Sequence, residues 1–123
     1  MARAARRLAG GARRRARRRA RRADDAARDE FRNPGPTLDF FDIAPGQRVA
    51  EIWPGWYTQI LAPYYSDKDG SYVAVLFPDG VSERVDARNA GFKDKFGDTD
   101  AYGDIEYASY SGDAGLSLAD GSV

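Results

Sequence analysis

The chain contains neither cysteine nor histidine. The lack of cysteine excludes disulfides, thiolate nucleophiles and cysteine-ligated metals. The lack of histidine excludes the commonest general base, the usual catalytic triads and histidine-based zinc or iron sites. No apolar run approaches the roughly 20 residues that span a bilayer, and the basic N-terminus has no apolar stretch typical of a secretory signal. We therefore predict a cytoplasmic protein without a metal site, whose chemistry depends on carboxylates, lysines, tyrosines, backbone groups or a bound cofactor.

The formal net charge of zero conceals a division of charge along the chain. Residues 1–23 contain 11 arginines and no acid, so residues 24–123 carry eight basic and 19 acidic residues, a net charge of −11. We divide the chain accordingly into an Arg/Ala-rich low-complexity tail, 1–23, and a domain, 24–123. Arg-rich tails bind nucleic acids through counterion release, although this tail has no aromatic residue for base stacking. A low-complexity extension and a nucleic-acid-binding arm both remain compatible with it.

Hydrophobic periodicity and turn residues predict strands and helices in alternation. Strands are predicted at 48–53, 72–77 and 104–110, and helices at 24–31, 57–64 and 82–96. In the second long helix Ser82 is a candidate cap, and Thr37 is a candidate cap for a short helix with an apolar face at 38–41. The strand at 72–77 is β-branched and aromatic throughout, which indicates burial on both faces. The order β-α-β-α-β with right-handed crossovers predicts a parallel sheet, half of a doubly wound fold.

The helix at 57–64 has an apolar face at helical spacing, which we interpret as packing against the sheet. Before this helix, a short apolar strand contains Glu51 near its end, and a Pro54-Gly55 turn follows. In open α/β sheets ligands bind outside the carboxyl ends of the strands, where an acid can hydrogen-bond a ribose. The alternative is a buried strand leading into an ordinary helix, with Glu51 in water. The spacing alone is compatible with both.

Two sequence blocks in this region are distinctive: Glu51-Ile52-Trp53-Pro54-Gly55 and Trp56-Tyr57-Thr58. Through them the chain, from about residue 28 onward, resembles a family of predicted S-adenosylmethionine-dependent methyltransferases with a class I, Rossmann-like fold. Further segments that resemble the family are Arg28-Asp29, Arg32-Asn33-Pro34, Thr37-Leu38, Phe40-Phe41, Ile60-Leu61-Ala62-Pro63, Phe92-Lys93-Asp94-Lys95-Phe96, Tyr102-Gly103-Asp104 and Asp120-Gly121-Ser122.

The resemblance implies that 51–55 is the first motif for the cofactor S-adenosyl-L-methionine, with the turn's backbone close to the methionine part. It also implies an acid near the end of the second strand that holds the ribose hydroxyls. Asp79 is the only carboxylate near that point, and an ordinary turn aspartate is its alternative reading. The expected cofactor-binding residues are Glu51, Trp53, Pro54, Gly55, Trp56, Tyr57 and Asp79. Neither a catalytic base nor the methyl acceptor, expected to be a small molecule, is identified by the sequence.

The chain departs from the family pattern in two places. Family members carry several glycines between the proline and the Trp-Tyr-Thr block, whereas this chain has Gly55 alone. Trp56 is therefore expected where small residues would face the cofactor. The family also continues beyond the position of Val123, so we expect an incomplete, amino-terminal part of a methyltransferase. The alternative function is that of a non-enzymatic anion- or nucleic-acid-binding protein that acts through the tail.

Overall fold

A computed structural model of the chain describes residues 23–123, so the predicted tail lies outside the described residues except for its last position. Three short helices come first: α1 (Ala23–Ala26), α2 (Asp29–Arg32) and α3 (Pro34–Phe40). The main elements follow: β1 (Arg48–Ile52), α4 (Thr58–Asp67), β2 (Ser71–Leu76), α5 (Glu83–Lys95), α6 (Thr99–Tyr102), β3 (Ile105–Ser111) and β4 (Gly115–Leu116). No helix in this described part is long and apolar enough to cross a bilayer.

The four strands form one sheet in the order β1-β2-β3-β4. The first three strands are parallel, and β4 pairs antiparallel with β3 to close a short hairpin. This confirms the α/β class and the predicted β-α-β-α-β order. Within the described sheet β1 is an edge strand, and the arrangement is compatible with part of a Rossmann-like fold.

Both faces of β2 are buried, as its sequence predicts. On one face Tyr72 and Ala74 pack with residues of α4, including Leu61 and Tyr65. On the other face Val73 and Val75 are buried as well. The C-terminal segment reaches this second side of the sheet, because the guanidinium of Arg48 donates to the carbonyl oxygen of Ser122 at 3.0 Å and pairs with Glu106 at 2.6 Å.

The buried face of α4 differs from the predicted one. The prediction placed Tyr57, Ile60, Leu61 and Tyr64 in the core. The structure instead buries Thr58, Gln59, Leu61, Ala62 and Tyr65, with Tyr57 and Tyr64 partly buried at the border. The face is rotated because two polar residues at the start of α4 are buried, and apolar periodicity cannot register buried polar side chains.

The N-terminal helices also correct the sequence analysis. The single helix predicted at 24–31 is split into α1 and α2 by a turn. The next helix begins at Pro34, which is favoured in the first turn. Thr37 is therefore inside α3, where its hydroxyl donates back to the Asn33 carbonyl oxygen at 2.8 Å instead of capping the helix. Of the predicted apolar face, Leu38 contacts the core, whereas Phe40 and Phe41 are exposed.

Candidate functional site

Two adjoining cavities open at the carboxyl ends of the parallel strands. The first has a volume of about 350 Å³ and lies between the residues that follow β1 and β2 and one side of α5. The second has a volume of about 310 Å³ and lies beyond the ends of β2 and β3. The two cavities share Leu76, Phe77 and Asn89 in their linings. Ligands of open parallel sheets bind at this edge, so the cavities form the candidate site.

The first cavity has an aromatic rim. Trp53 and Phe77, which follow β1 and β2, hold their rings 6.4 Å apart between centroids at an interplanar angle of 28°. The Trp53 side chain is 70% exposed, and Phe92 and Arg88 line the cavity from α5. Two nearly parallel aromatic rings at a cavity mouth present flat, polarizable surfaces to a planar ligand.

Trp53 has a backbone conformation that is unusual for its side chain. Its φ angle is +55°, in the left-handed region that disfavours residues with a Cβ. Strained backbone of this kind is found preferentially at ligand-binding and catalytic positions. The nearby Gly55 does not have a positive φ, and a Cβ placed on it would meet nothing within 4 Å. The unfavourable backbone angle of the β1–α4 turn thus belongs to Trp53, whose indole is exposed, and not to Gly55.

Asn89 lies between the two cavities and was missed by the sequence analysis. Its side chain is 5% exposed, and its Nδ2 donates to the carbonyl oxygen of Phe77 at 2.8 Å and to Oδ1 of Asp79 at 3.4 Å. It therefore holds the loop after β2 against α5. A signal was present in the sequence, because Asn89 falls four residues after Val85 and three before Phe92, a spacing that places the three residues on one side of a helix.

Glu51 lies beneath the start of α4 in a cluster of three oxygens. Its Oε1 accepts hydrogen bonds from the hydroxyls of Tyr72 at 2.5 Å and Thr58 at 3.1 Å, and these two hydroxyls are 3.0 Å apart. Burial raises the pKa of the Glu51 carboxyl, and the hydrogen bonds from Tyr72 and Thr58 oppose this effect only in part. Glu51 lines neither cavity; it connects β1 to α4 and β2.

The remaining predicted residues are distributed around the site. Trp53 and Pro54 line the first cavity, and Asp79 lines the second. Trp56 is directed toward the N-terminal helices: its indole N–H donates to the Asp25 carbonyl oxygen at 3.0 Å, and the Arg32 guanidinium lies 4.9 Å from its ring centroid. The rings of Tyr57 and Trp56 pack edge to face. Trp56 therefore lines neither cavity, although it was expected where small residues would face the cofactor.

No protein-family model matches the chain, and no curated protein or solved structure was found to be similar to it. The function is therefore argued from the fold and the geometry of the cavities, together with the resemblance carried by residues 51–58.

Proposed function

We propose that this protein binds S-adenosyl-L-methionine in the cleft formed by the two cavities and acts as a methyltransferase on a small-molecule acceptor. The observation that carries the proposal is the aromatic-rimmed cavity at the carboxyl ends of β1 and β2 in a parallel sheet. Nucleoside cofactors bind at this edge of such sheets. When bound, the cofactor supplies an electrophilic methyl group on its sulfonium sulfur.

The residues present fit such a ligand. The first cavity alone lies at the lower end of the roughly 300–1,000 Å³ typical of small-molecule sites, and the second adds a more polar compartment. Trp53 and Phe77 offer aromatic faces for a purine, and stacking of one base on an aromatic side chain contributes about 1–3 kcal/mol. Arg88 offers a cation for a carboxylate, and the carboxylate of Asp79 offers acceptors for ribose hydroxyls.

The contribution of the chain is positioning and exclusion of water. In-line transfer of a methyl group requires alignment of donor and acceptor more than it requires a base. The cluster of Glu51, Thr58 and Tyr72 fixes the start of α4 relative to β1 and β2, and this fixes the intervening turn that carries Trp53. In this proposal Glu51 supports the turn from below and does not contact the ligand.

Isothermal titration of the 123-residue protein with S-adenosylmethionine and S-adenosylhomocysteine tests the proposal. We expect saturable binding of both that is weakened by Phe77→Ala. Val81→Ala is the matched control, because Val81 is an exposed apolar residue of the same β2–α5 connection that lines neither cavity. An absence of binding by the folded protein contradicts the proposal. Transfer of a labelled methyl group to a metabolite extract then tests catalysis.

The charge division supports a second candidate function, the binding of nucleic acid by the tail. Eleven arginines without a single acid in residues 1–23 would release many counterions from a nucleic acid. This segment lies outside the described residues apart from Ala23, and the support for this candidate function is its sequence. Deletion of residues 1–23 should abolish salt-sensitive DNA binding if this function exists, and should leave cofactor titration unchanged.

A further inference from the structure

The orientation of the Asn89 side-chain amide is determined by its surroundings. Two acceptors, the Phe77 carbonyl oxygen and Oδ1 of Asp79, lie on the same side of the amide at 2.8 and 3.4 Å. An amide nitrogen carries two hydrogens and can donate to both, whereas an oxygen in that place would face two other oxygens. The nitrogen therefore points toward the β2–α5 loop, and Oδ1 points the other way.

This leaves the amide oxygen of Asn89 as an unused acceptor at the candidate site. None of the described residues donates a hydrogen bond to Oδ1. The fully buried polar side-chain atoms without a partner in the described part of the chain belong to Gln59 and Ser122, so Oδ1 of Asn89 is reachable from the cavities that the residue lines. A polar side chain that is 5% exposed thus offers one fixed acceptor to a ligand.

The surroundings favour one kind of donor for this acceptor. Asn89 is bonded to the backbone of Phe77, whose ring forms the aromatic rim with Trp53. A base stacked at that rim presents its edge, where its polar groups lie, toward neighbouring side chains. A cationic donor would bind more strongly to the carboxylate of Asp79 in the second cavity than to a neutral amide oxygen. A neutral N–H group is therefore the better match for Oδ1 of Asn89.

We propose that Asn89 is a specificity residue whose Oδ1 accepts a hydrogen bond from the exocyclic amino group of the bound purine. The site would then select 6-aminopurine nucleosides over their 6-oxo counterparts, because a 6-oxo group places a second acceptor against Oδ1. This inference rests on the proposed binding of an adenosyl cofactor and adds the residue that recognises its base. Mismatch of a single buried hydrogen bond weakens binding by roughly 10- to 100-fold.

The test compares S-adenosylhomocysteine with S-inosylhomocysteine, which differ in the amino and oxo groups at position 6. The ratio of their dissociation constants is measured by calorimetry for the full-length wild-type protein and for Asn89→Leu. We expect the adenosyl compound to bind roughly tenfold or more tightly to wild type. The ratio should fall to about one in Asn89→Leu, which has no acceptor at this position.

The control is Gln59→Leu. Gln59 also has a buried side-chain amide, but it belongs to α4 and lines neither cavity. Its replacement should leave the ratio unchanged. A purely structural role for Asn89 would weaken both compounds equally and preserve the ratio in Asn89→Leu, which would overturn the inference. Equal affinity of wild type for the two compounds would overturn it without any variant. Binding of neither compound would instead contradict the proposed function itself, so the two failures are distinguishable.

Discussion

The phenolic oxygen of Tyr72 lies 2.5 Å from Oε1 of Glu51, with the hydroxyl of Thr58 next to both. While Glu51 is ionised, the three close oxygen–oxygen contacts have only two hydrogens between them, those of the Tyr72 and Thr58 hydroxyls. Protonation of Glu51 supplies a third hydrogen and allows a closed ring of hydrogen bonds. Burial and the neighbouring carboxylate raise the pKa of Tyr72 as well, so the cluster favours its neutral form.

We predict that Glu51→Gln stabilises the protein increasingly as the pH rises. A carboxyl whose pKa is raised on folding binds its proton more tightly in the folded chain, so its contribution to stability is complete below the unfolded value near 4.5 and is lost as the pH rises through the folded value. Glutamine keeps an acceptor and carries no charge. Urea unfolding at several pH values from 4 to 8 should show a growing difference from wild type.

The companion variant is Tyr72→Phe, because the Tyr72 hydroxyl lowers the pKa of Glu51. Its loss should steepen the pH dependence and cost about 1–3 kcal/mol of unfolding free energy at neutral pH. A difference between Glu51→Gln and wild type that is the same at every pH would contradict the account of a desolvated carboxyl.

Trp53→Gly should separate stability from binding. Glycine relieves a left-handed backbone that costs roughly 1–2 kcal/mol, but it adds unfolded-state entropy and removes the contact with Phe77, together about 1–2.5 kcal/mol. We therefore expect an unfolding free energy within about 1 kcal/mol of wild type, with cofactor affinity lowered roughly 10- to 100-fold. Denaturant melts and calorimetry measure the two quantities.

Trp56→Ala is the contrasting variant for Trp53→Gly. This tryptophan is partly buried and hydrogen-bonded to the Asp25 carbonyl oxygen, so its loss should cost about 2 kcal/mol or more. If Trp53→Gly destabilises the protein as strongly as Trp56→Ala, the exposed indole has a structural role that its surroundings do not show.

The alternation of strands and helices was predictable because each element has a local signal. The run at 72–77 is dense in β-branched and aromatic residues, and Ser82 accepts from the Val85 N–H as an N-cap should. Gly46, with a φ of +78°, occupies the turn position that requires glycine. These features depend on neighbours in sequence, which is why the order of strands and helices along the chain could be derived.

The details of the site depend on contacts that sequence does not display. Thr58 and Asn89 are buried and hydrogen-bond residues 7 and 12 positions away. Helical spacing can place a polar residue such as Asn89 beside apolar ones, but it does not identify the hydrogen-bond partner. A Pro54-Gly55 pair lies in the β1–α4 turn, but the positive φ of this turn is at Trp53. The cavities were expected at the strand ends from topology, but their lining from α5 was not.

Gln59→Met should stabilise the protein by about 1–2 kcal/mol. Neither amide atom of Gln59 has a hydrogen-bond partner among the described residues, although the side chain is buried, and an unsatisfied buried amide costs about 1–3 kcal/mol. Methionine has a similar shape and favours helix. Thr58→Val is the matched control in the same turn, because Thr58 is buried with partners and its replacement should destabilise. Thermal melts that move in the same direction for both variants would contradict the prediction.

Gly103 and Gly91 differ in the room that the fold leaves for a side chain. Gly103 has a φ of +70°, and a Cβ at this position would overlap the side chain of Ser66 in α4. Gly91 is in α5, where an added Cβ meets nothing within 4 Å. We expect Gly103→Ala to lower the unfolding free energy by at least about 2 kcal/mol and Gly91→Ala to raise it by roughly 1 kcal/mol.

A double-mutant cycle separates the two causes of the Gly103→Ala effect. Ser66→Gly removes the overlapping side chain but not the left-handed backbone, so it should recover part of the loss and leave roughly 1 kcal/mol that belongs to φ alone. Full recovery would mean that the overlap with Ser66 is the whole cost. No recovery would mean that the backbone angle alone requires glycine, and that α4 and the end of α6 can separate enough to admit a methyl group.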